Sequence, residues 1–211
     1  MPASPPVKDL VILVPDKDIQ AALTGILNRH QSLNITPVQF SFSIDTGGRD
    51  PGCRRYAYEA LRPFANRYRF ALVVFDREGS SDEQTPREQI EVDVESQLSI
   101  NGWGERCACI CIAPEVENWL WSQSPQLCAP LGWLNSLDSL YDFVREMGYL
   151  PERSLKPTRP KEARQKVLRR TRTARSSAIF QSVAQNVSLR HCADPAFLKL
   201  KTVLYHWFSE V

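Results

Sequence analysis

Two carboxylates in the middle of the chain have the types and spacing that metal chemistry requires. Asp76 and Glu78 directly follow an apolar run, residues 70–75, which is typical of a strand buried on both faces of a parallel sheet. In open α/β sheets, ligands bind beyond the carboxyl ends of the strands. Carboxylates two residues apart point the same way and repel each other unless a cation such as Mg²⁺ or Mn²⁺ lies between them. In the simpler alternative, one carboxylate caps the next helix and the other pairs with Arg77 or solvent.

Acidic residues also follow two other apolar runs of the chain. After residues 10–14 come Asp16 and Asp18, and after residues 106–112 come Glu115 and Glu117. Acids in the first turn of a helix are favourable for capping and for the helix dipole alone, which is the alternative interpretation. Because parallel strands bring their carboxyl ends to one edge, we predict a single acidic cluster whose members have raised pKa values without metal. Its predicted members are Asp76, Glu78, Asp16 or Asp18, and one of Glu115 and Glu117.

The elements that must position these acids alternate along the chain. Apolar or alternating runs predict strands at residues 10–14, 35–42, 70–76 and 106–112. Helical spacing begins near residue 16, after residue 49 and at residue 85, and continues at 136–147, 178–187 and 195–208. This order predicts an α/β fold with a mostly parallel sheet flanked by helices. We expect residues 10–14, 71–75 and 107–112 to be adjacent or near-adjacent strands of that sheet.

Cysteine usage and hydropathy restrict the class of protein. Cys107, Cys109 and Cys111 alternate in one strand, so they should share one face and behave as small hydrophobic residues. The sequence has no Cys-x-x-Cys pair, so a zinc site is not expected. No apolar run is long enough to span a bilayer, and residues 1–6 lack the basic and apolar parts of a signal peptide. We therefore expect a cytoplasmic protein with no membrane partner.

The net charge of +2 conceals a strong asymmetry between the two parts of the chain. Residues 1–152 contain 13 Lys and Arg against 21 Asp and Glu, whereas residues 153–211 contain 13 against 3. A basic region of this kind favours a polyanionic partner such as DNA or RNA, although it could also be a solvated face or a protein dock. The candidate nucleic-acid-binding residues of this region are Lys156, Arg159, Lys161, Arg164, Arg169, Arg170 and Arg175.

A turn-rich segment at residues 46–55 adds a further candidate phosphate contact. It contains two adjacent glycines, Gly47 and Gly48, and then Arg49, Arg54 and Arg55 at the beginning of a predicted helix. Backbone N–H groups at a helix amino terminus and arginine side chains both suit a phosphate. The segment matches no standard phosphate-binding loop, so we include only its arginines among the candidate nucleic-acid contacts.

Two motifs give the sequence a resemblance to a known family. Val74-Phe75-Asp76-Arg77-Glu78-Gly79 and the segment Pro-Glu-Val-Glu-Asn-Trp-Leu-Trp-Ser at 114–122 resemble the Toprim-like proteins of bacterial phage-defence systems and mobile islands. More narrowly, residues 14–18, 49–55, 161–163 and 192–197 together resemble a small accessory protein of methylation-associated antiphage defence systems. The resemblance spans nearly the whole chain. It implies a Toprim-like α/β domain at 1–150, a basic helical extension at 151–211 and other defence proteins as partners.

The resemblance also implies a chemistry. Toprim folds use acids at strand ends to bind Mg²⁺ for phosphoryl transfer or nucleic-acid cleavage. The Asp-x-Asp acids of the family fall on Asp76 and Glu78 of this sequence. The glutamate of the first strand has no match, because Pro15 stands where it is expected, so Asp16 or Asp18 would have to replace it.

Two hypotheses therefore remain open at this point. In the first, the protein is a Mg²⁺-dependent nuclease or phosphodiesterase in which Asp16, Asp76 and Glu78 hold the metal and Arg77 or Lys17 neutralises charge on the phosphate. In the second, it is a non-catalytic Toprim-like binding subunit of a defence complex. Carboxylates that converge without partners favour the enzyme, whereas carboxylates held in salt bridges favour the binding subunit.

Overall fold

The computed structural model describes residues 7–45, 49–190 and 192–210 of the chain. Its centre is a four-stranded, all-parallel sheet in the order β2-β1-β3-β4. The strands are β1 (Lys8–Val14), β2 (Phe40–Ile44), β3 (Tyr68–Asp76) and β4 (Cys107–Ile112). The predicted α/β class is confirmed, and so is the expectation that the strands at 10–14, 71–75 and 107–112 are neighbours.

Helices cover both faces of the sheet. Those in the first part of the chain are α1 (Lys17–Leu27), α2 (His30–Leu33), α3 (Arg49–Leu61), α4 (Arg87–Leu98) and α5 (Glu117–Leu120). Those in the second part are α6 (Leu137–Glu146), α7 (Pro160–Thr171), α8 (Ala178–Asn186) and α9 (Pro195–Phe208). None of these helices, within the residues that the structure describes, has the length and apolar character needed to cross a bilayer.

The strands are apolar on both faces because each face has its own core. On one face, Ile12, Leu72 and Ile110 are fully buried with residues of α1, α8 and α9. On the other face, Val73 and Cys109 are buried with residues of α3 and α4. Strands covered on both sides are expected in a parallel sheet, which explains the continuous apolar runs seen in the sequence.

The second strand is shorter and lies later than predicted. We expected it at residues 35–42, but the observed β2 begins at Phe40 and its residues are only half-buried. The backbone N–H of Ile35 donates to His30 O and that of Thr36 donates to Phe208 O, so these groups cannot join the sheet. The alternation of apolar residues at 35–42 therefore indicated a longer strand than the one observed, because the backbone of Ile35 and Thr36 is hydrogen-bonded to residues outside the sheet.

The last two helices are packed onto the first elements of the chain. Gly25 of α1 lies so close to α8 that an added Cβ would be 2.7 Å from the Cβ of Ala184. In α9, the Trp207 ring stacks on Phe70 of β3 with a centroid separation of 4.6 Å. The division of the chain at residue 150 remains a prediction, but these contacts show that the later region covers one face of the sheet.

Candidate functional site

The strand order defines where a ligand would bind in this fold. In a doubly wound sheet of order 2-1-3-4, the connections diverge between β1 and β3, and the crevice beyond their carboxyl ends is the usual binding position. Here β1 is followed by Asp16, and β3 ends at Asp76. Because β4 lies beside β3, the segment that carries Glu115 and Glu117 borders the same edge. We call this region the carboxyl edge.

Asp76 lies at the centre of the carboxyl edge. Its backbone N–H donates to Asp50 Oδ1 over 2.9 Å, and its own Oδ1 accepts the N–H of Val116 over 2.8 Å. Burial raises the pKa of Asp76 well above its ordinary value, and the negative charges of Asp50, Glu117, Asp16 and Glu115 raise it further. The structure therefore brings acids from four segments close enough to repel one another.

Asp50 belongs to this group, although the sequence analysis did not include it. It lies in the first turn of α3, and its pKa is raised by burial, with the Asp76 N–H bond acting in the opposite direction. It does not follow a strand directly, so the rule used to find the other acids missed it. The available signal was its position at the beginning of a helix, next to the arginines that were selected as phosphate contacts.

Helix α7 supplies cations to the two glutamates that follow β4. The side chain of Glu115 is 3% exposed and accepts both the backbone N–H of Lys161, at 3.0 Å, and its ammonium, at 3.1 Å. The side chain of Glu117 is also buried, and its Oε1 lies 2.9 Å from Nη2 of Arg164. Burial raises the pKa of Glu117, and the Arg164 charge opposes this rise.

Arg164 is the most unusual residue of the site because its side chain is 0% exposed. Its guanidinium lies 4.7 Å from the centre of the Phe180 ring, and its Nη1 is 3.9 Å from Asp18 Oδ2. None of its three side-chain nitrogens makes a well-directed hydrogen bond with a described residue. The 2.9 Å contact between Arg164 Nη2 and Glu117 Oε1 is therefore an ion pair without hydrogen-bond geometry. A buried guanidinium needs compensating charge, which the surrounding carboxylates provide.

The acids that follow β1 are also engaged. Asp16 is the N-cap of α1 and its Oδ1 accepts the N–H groups of Asp18 and Ile19, as the capping alternative predicted. Asp18 lies between Arg164 and Arg175, whose Nη2 is 3.6 Å from its Oδ2. Burial raises the pKa of Asp18, and the Arg164 charge opposes this effect. Asp16 thus uses one carboxylate oxygen for the helix cap, and Asp18 faces two guanidinium groups.

Glu78 and Arg77 lie at the margin of the carboxyl edge. Glu78 is exposed, and its pKa is raised by partial burial and by the charge of Glu115. Arg77 donates to the carbonyl oxygens of Thr85 and Glu83, at 3.2 and 2.5 Å. The Arg77 guanidinium thus braces the loop between β3 and α4, and its predicted contact with a phosphate stays a prediction.

These carboxylates do not fit a Mg²⁺ or Mn²⁺ ion in the observed arrangement. In residues 7–45, 49–190 and 192–210, no group of three or more His, Cys, Asp or Glu side chains is placed to hold a metal ion. The physical reason is that Glu115, Glu117 and Asp18 face cations of the protein, while Asp16 caps a helix. Asp76 keeps one oxygen, Oδ2, that makes no hydrogen bond with the described residues.

The predicted nucleic-acid contacts fall into two groups. Several are already used within the protein: Arg54 pairs with Asp82, Arg159 with Glu162, Lys161 with Glu115 and Arg164 with Glu117, while Lys156 donates to Asn118 O. The burial of Arg164 keeps its side chain away from solvent, where a nucleic acid would lie. Others are exposed at the surface: Arg49, Arg55, Arg169 and Arg170. Arg175 is exposed too, but its Nη2 lies 3.6 Å from Asp18 Oδ2. Gly47 and Gly48 of the proposed phosphate segment lie outside the described residues.

Comparisons with protein-family models, curated proteins and solved structures found no match for this chain.

Proposed function

We propose that this protein is a Toprim-like component of a bacterial antiphage defence system and serves there as a non-catalytic subunit that binds nucleic acid. The family assignment rests on the motifs at residues 74–79 and 114–122. A parallel sheet with acids beyond three of its strand ends supports it, since Toprim folds carry their acids in such positions.

The observation that carries the non-catalytic role is the pairing of the acids with α7. Lys161 and Arg164 are three residues apart, so they lie on the same side of the helix and reach Glu115 and Glu117 together. Both glutamates are buried, and removing a buried carboxylate from its cation costs several kcal/mol. A metal ion would have to displace these cations before it could bind the same oxygens. The two glutamates that follow β4 are therefore already neutralised by cations of the same chain.

The opposite side of α7 is the surface that we assign to nucleic acid. Ala163, Val167 and Leu168 are buried on the inner side of the helix, whereas Lys166, Arg169 and Arg170 are exposed on the outer side. The three exposed cations make no ion pair with a described residue. Exposed Lys and Arg side chains on a rigid helix contact phosphates without regard to sequence. We take this face to be part of the basic helical extension proposed at residues 151–211.

Charge reversal on the outer face of α7 tests this proposal. We expect R169E/R170E to weaken binding of a labelled oligonucleotide of about 30 nucleotides and to reduce the slope of log K against log salt by about 1.4–1.8. The matched control is R62E/R67E, which makes the same charge change on exposed arginines before β3, at the opposite edge of the sheet. Fluorescence anisotropy across a series of KCl concentrations measures both quantities. Equal losses in the two variants would refute a specific role for α7.

A second candidate function is the Mg²⁺-dependent nuclease, and one observation favours it. Asp76 has a raised pKa, as residues of functional sites often do, and its Oδ2 makes no hydrogen bond with the described residues. Incubating labelled DNA and RNA with the protein and Mg²⁺ or Mn²⁺ distinguishes the two functions. Cleavage by the wild type that is lost in Asp76→Asn would replace the non-catalytic role with the enzymatic one.

A further inference from the structure

The structure contains a cavity whose lining includes none of the acids of the carboxyl edge. It has a volume of about 680 Å³ and lies between α1, α8 and the segments that flank α5 and α9. Cavities of about 300–1,000 Å³ are typical of sites for small organic ligands. The cavity lies beside the carboxyl edge. Glu117 at the start of α5 faces Arg164, whereas Trp119 and Leu120 line the cavity, and Phe180 borders both.

The walls of the cavity are mainly apolar and partly aromatic. Trp119 and Phe197 meet edge to face with a centroid separation of 5.6 Å, and Phe180 contributes a third ring. The polar edges of the indoles are already used, since Trp119 Nε1 donates to Asp194 Oδ1 at 3.0 Å and Trp121 Nε1 donates to Pro160 O at 3.1 Å. The rings therefore offer the cavity apolar surface rather than hydrogen-bond donors.

Two charged side chains line the cavity, and they differ in how many further hydrogen bonds they can make. Asp194 is buried and accepts hydrogen bonds from Asn118, Trp119 and the backbone N–H of Phe197. Lys156 is half-buried and donates one hydrogen bond, to Asn118 O at 2.5 Å. It makes no ion pair with a described residue, and an ammonium has three N–H groups, so two of them remain for a ligand.

We propose that this cavity binds a small amphipathic anion, with its apolar body against the aromatic walls and its carboxylate or sulfonate at Lys156. The body is held by the area of apolar surface removed from water. The anionic group is selected because it satisfies the half-buried ammonium, and a charge-assisted hydrogen bond is the stronger kind. This proposal does not depend on the nucleic-acid function, since no residue of the outer face of α7 lines the cavity.

A matched pair of ligands tests the proposal with the full chain. Decanoate and 1-decanol have the same apolar chain and differ in charge, so titration calorimetry should show that the wild type binds decanoate about tenfold more tightly. Lys156→Met should remove this preference while keeping the binding of 1-decanol. Lys8→Met, which changes an exposed lysine at the beginning of β1, is the control and should behave as the wild type.

Blocking the cavity locates the site. Ala193 is exposed and lines the cavity, so Ala193→Trp should fill its entrance and abolish the binding of both ligands, with thermal melting used to verify folding. Ser122→Trp provides a second blocking variant on another segment. The proposal is overturned if neither ligand binds the wild type, if both folded tryptophan variants bind decanoate as tightly as the wild type, or if Lys156→Met leaves the preference for decanoate unchanged.

Discussion

Replacing Arg164 by methionine should destabilise the folded protein by about 3–5 kcal/mol at neutral pH, because it leaves a buried carboxylate without its cation. The side chain of Glu117 is 4% exposed and has Arg164 as its ion-pair partner within the described residues. Methionine has a similar length and keeps a contact with the Phe180 ring, so little of the loss should come from packing. The effect measured is therefore mainly that of the missing charge.

A double-mutant cycle separates the charge from the packing. If the buried carboxylate is the cause, R164M/E117Q should recover most of the loss and fall within about 1 kcal/mol of the wild type, because buried ion pairs replaced together by neutral groups are often close to neutral in stability. Urea unfolding followed by circular dichroism, with an unchanged dependence on denaturant, gives the free energies.

The pH dependence of R164M has a defined sign. Burial raises the pKa of Glu117, and the Arg164 charge opposes this rise, so removing the arginine raises it further. When the pKa of a carboxyl group is higher in the folded than in the unfolded protein, its protonation stabilises the fold. This stabilisation is fully present below the pKa of the unfolded state, about 4.3, and is lost as the pH rises through the pKa of the folded state. The deficit of R164M should therefore be smaller at acidic than at neutral pH. A loss below about 1 kcal/mol at neutral pH, or no recovery in the double mutant, would refute the reasoning.

The remaining predictions concern three other positions. Asp76→Asn should stabilise the protein at neutral pH, because the raised pKa of Asp76 means that its ionisation opposes folding. The gain in stability should shrink as the pH falls towards about 3.9, the pKa of Asp in the unfolded state, and thermal melting at several pH values measures it. Asp194→Ala should lower the free energy of unfolding in urea by about 2–4 kcal/mol, because it removes the N-cap of α9 and leaves Trp119 and Asn118 without a hydrogen-bond acceptor. Asp194→Asn should lower it less. Gly25→Ala should cost about 1–3 kcal/mol, because its Cβ would force α1 and α8 apart, and an unchanged melting temperature would contradict that close approach.

The sheet could be predicted because its signals are local. Residues 70–75 and 107–112 are apolar throughout, and burial on both faces of a parallel strand requires this pattern. The alternation of Cys107, Cys109 and Cys111 likewise placed them on one face, where they lie against α4 as free thiols. The beginning of the edge strand β2 was harder to predict, because it depends on the hydrogen bond from Thr36 N–H to Phe208 O, and these residues are far apart in the sequence.

The candidate site could be predicted only in part. The acids that follow β1, β3 and β4 were expected at one edge because topology alone brings them there. Their partners could not be inferred in this way. Arg164 and Arg169 carry the same charge and belong to the same helix, yet the first is buried against Glu117 and the second faces solvent. Which side of α7 faces the sheet depends on packing between segments far apart in the sequence.

The attachment of α9 to the first strands has a consequence for synthesis on the ribosome. Thr36 and Phe208 are 172 positions apart, so at about 5–20 residues per second roughly 10–35 s pass before the partner of Thr36 has been made. Phe70 is made 137 residues before Trp207, so for about 7–27 s it lacks the ring that stacks on it in the folded protein. We therefore expect this face of the sheet to stay uncovered until α9 emerges, and chaperones that hold apolar surfaces should bind the nascent chain during that time.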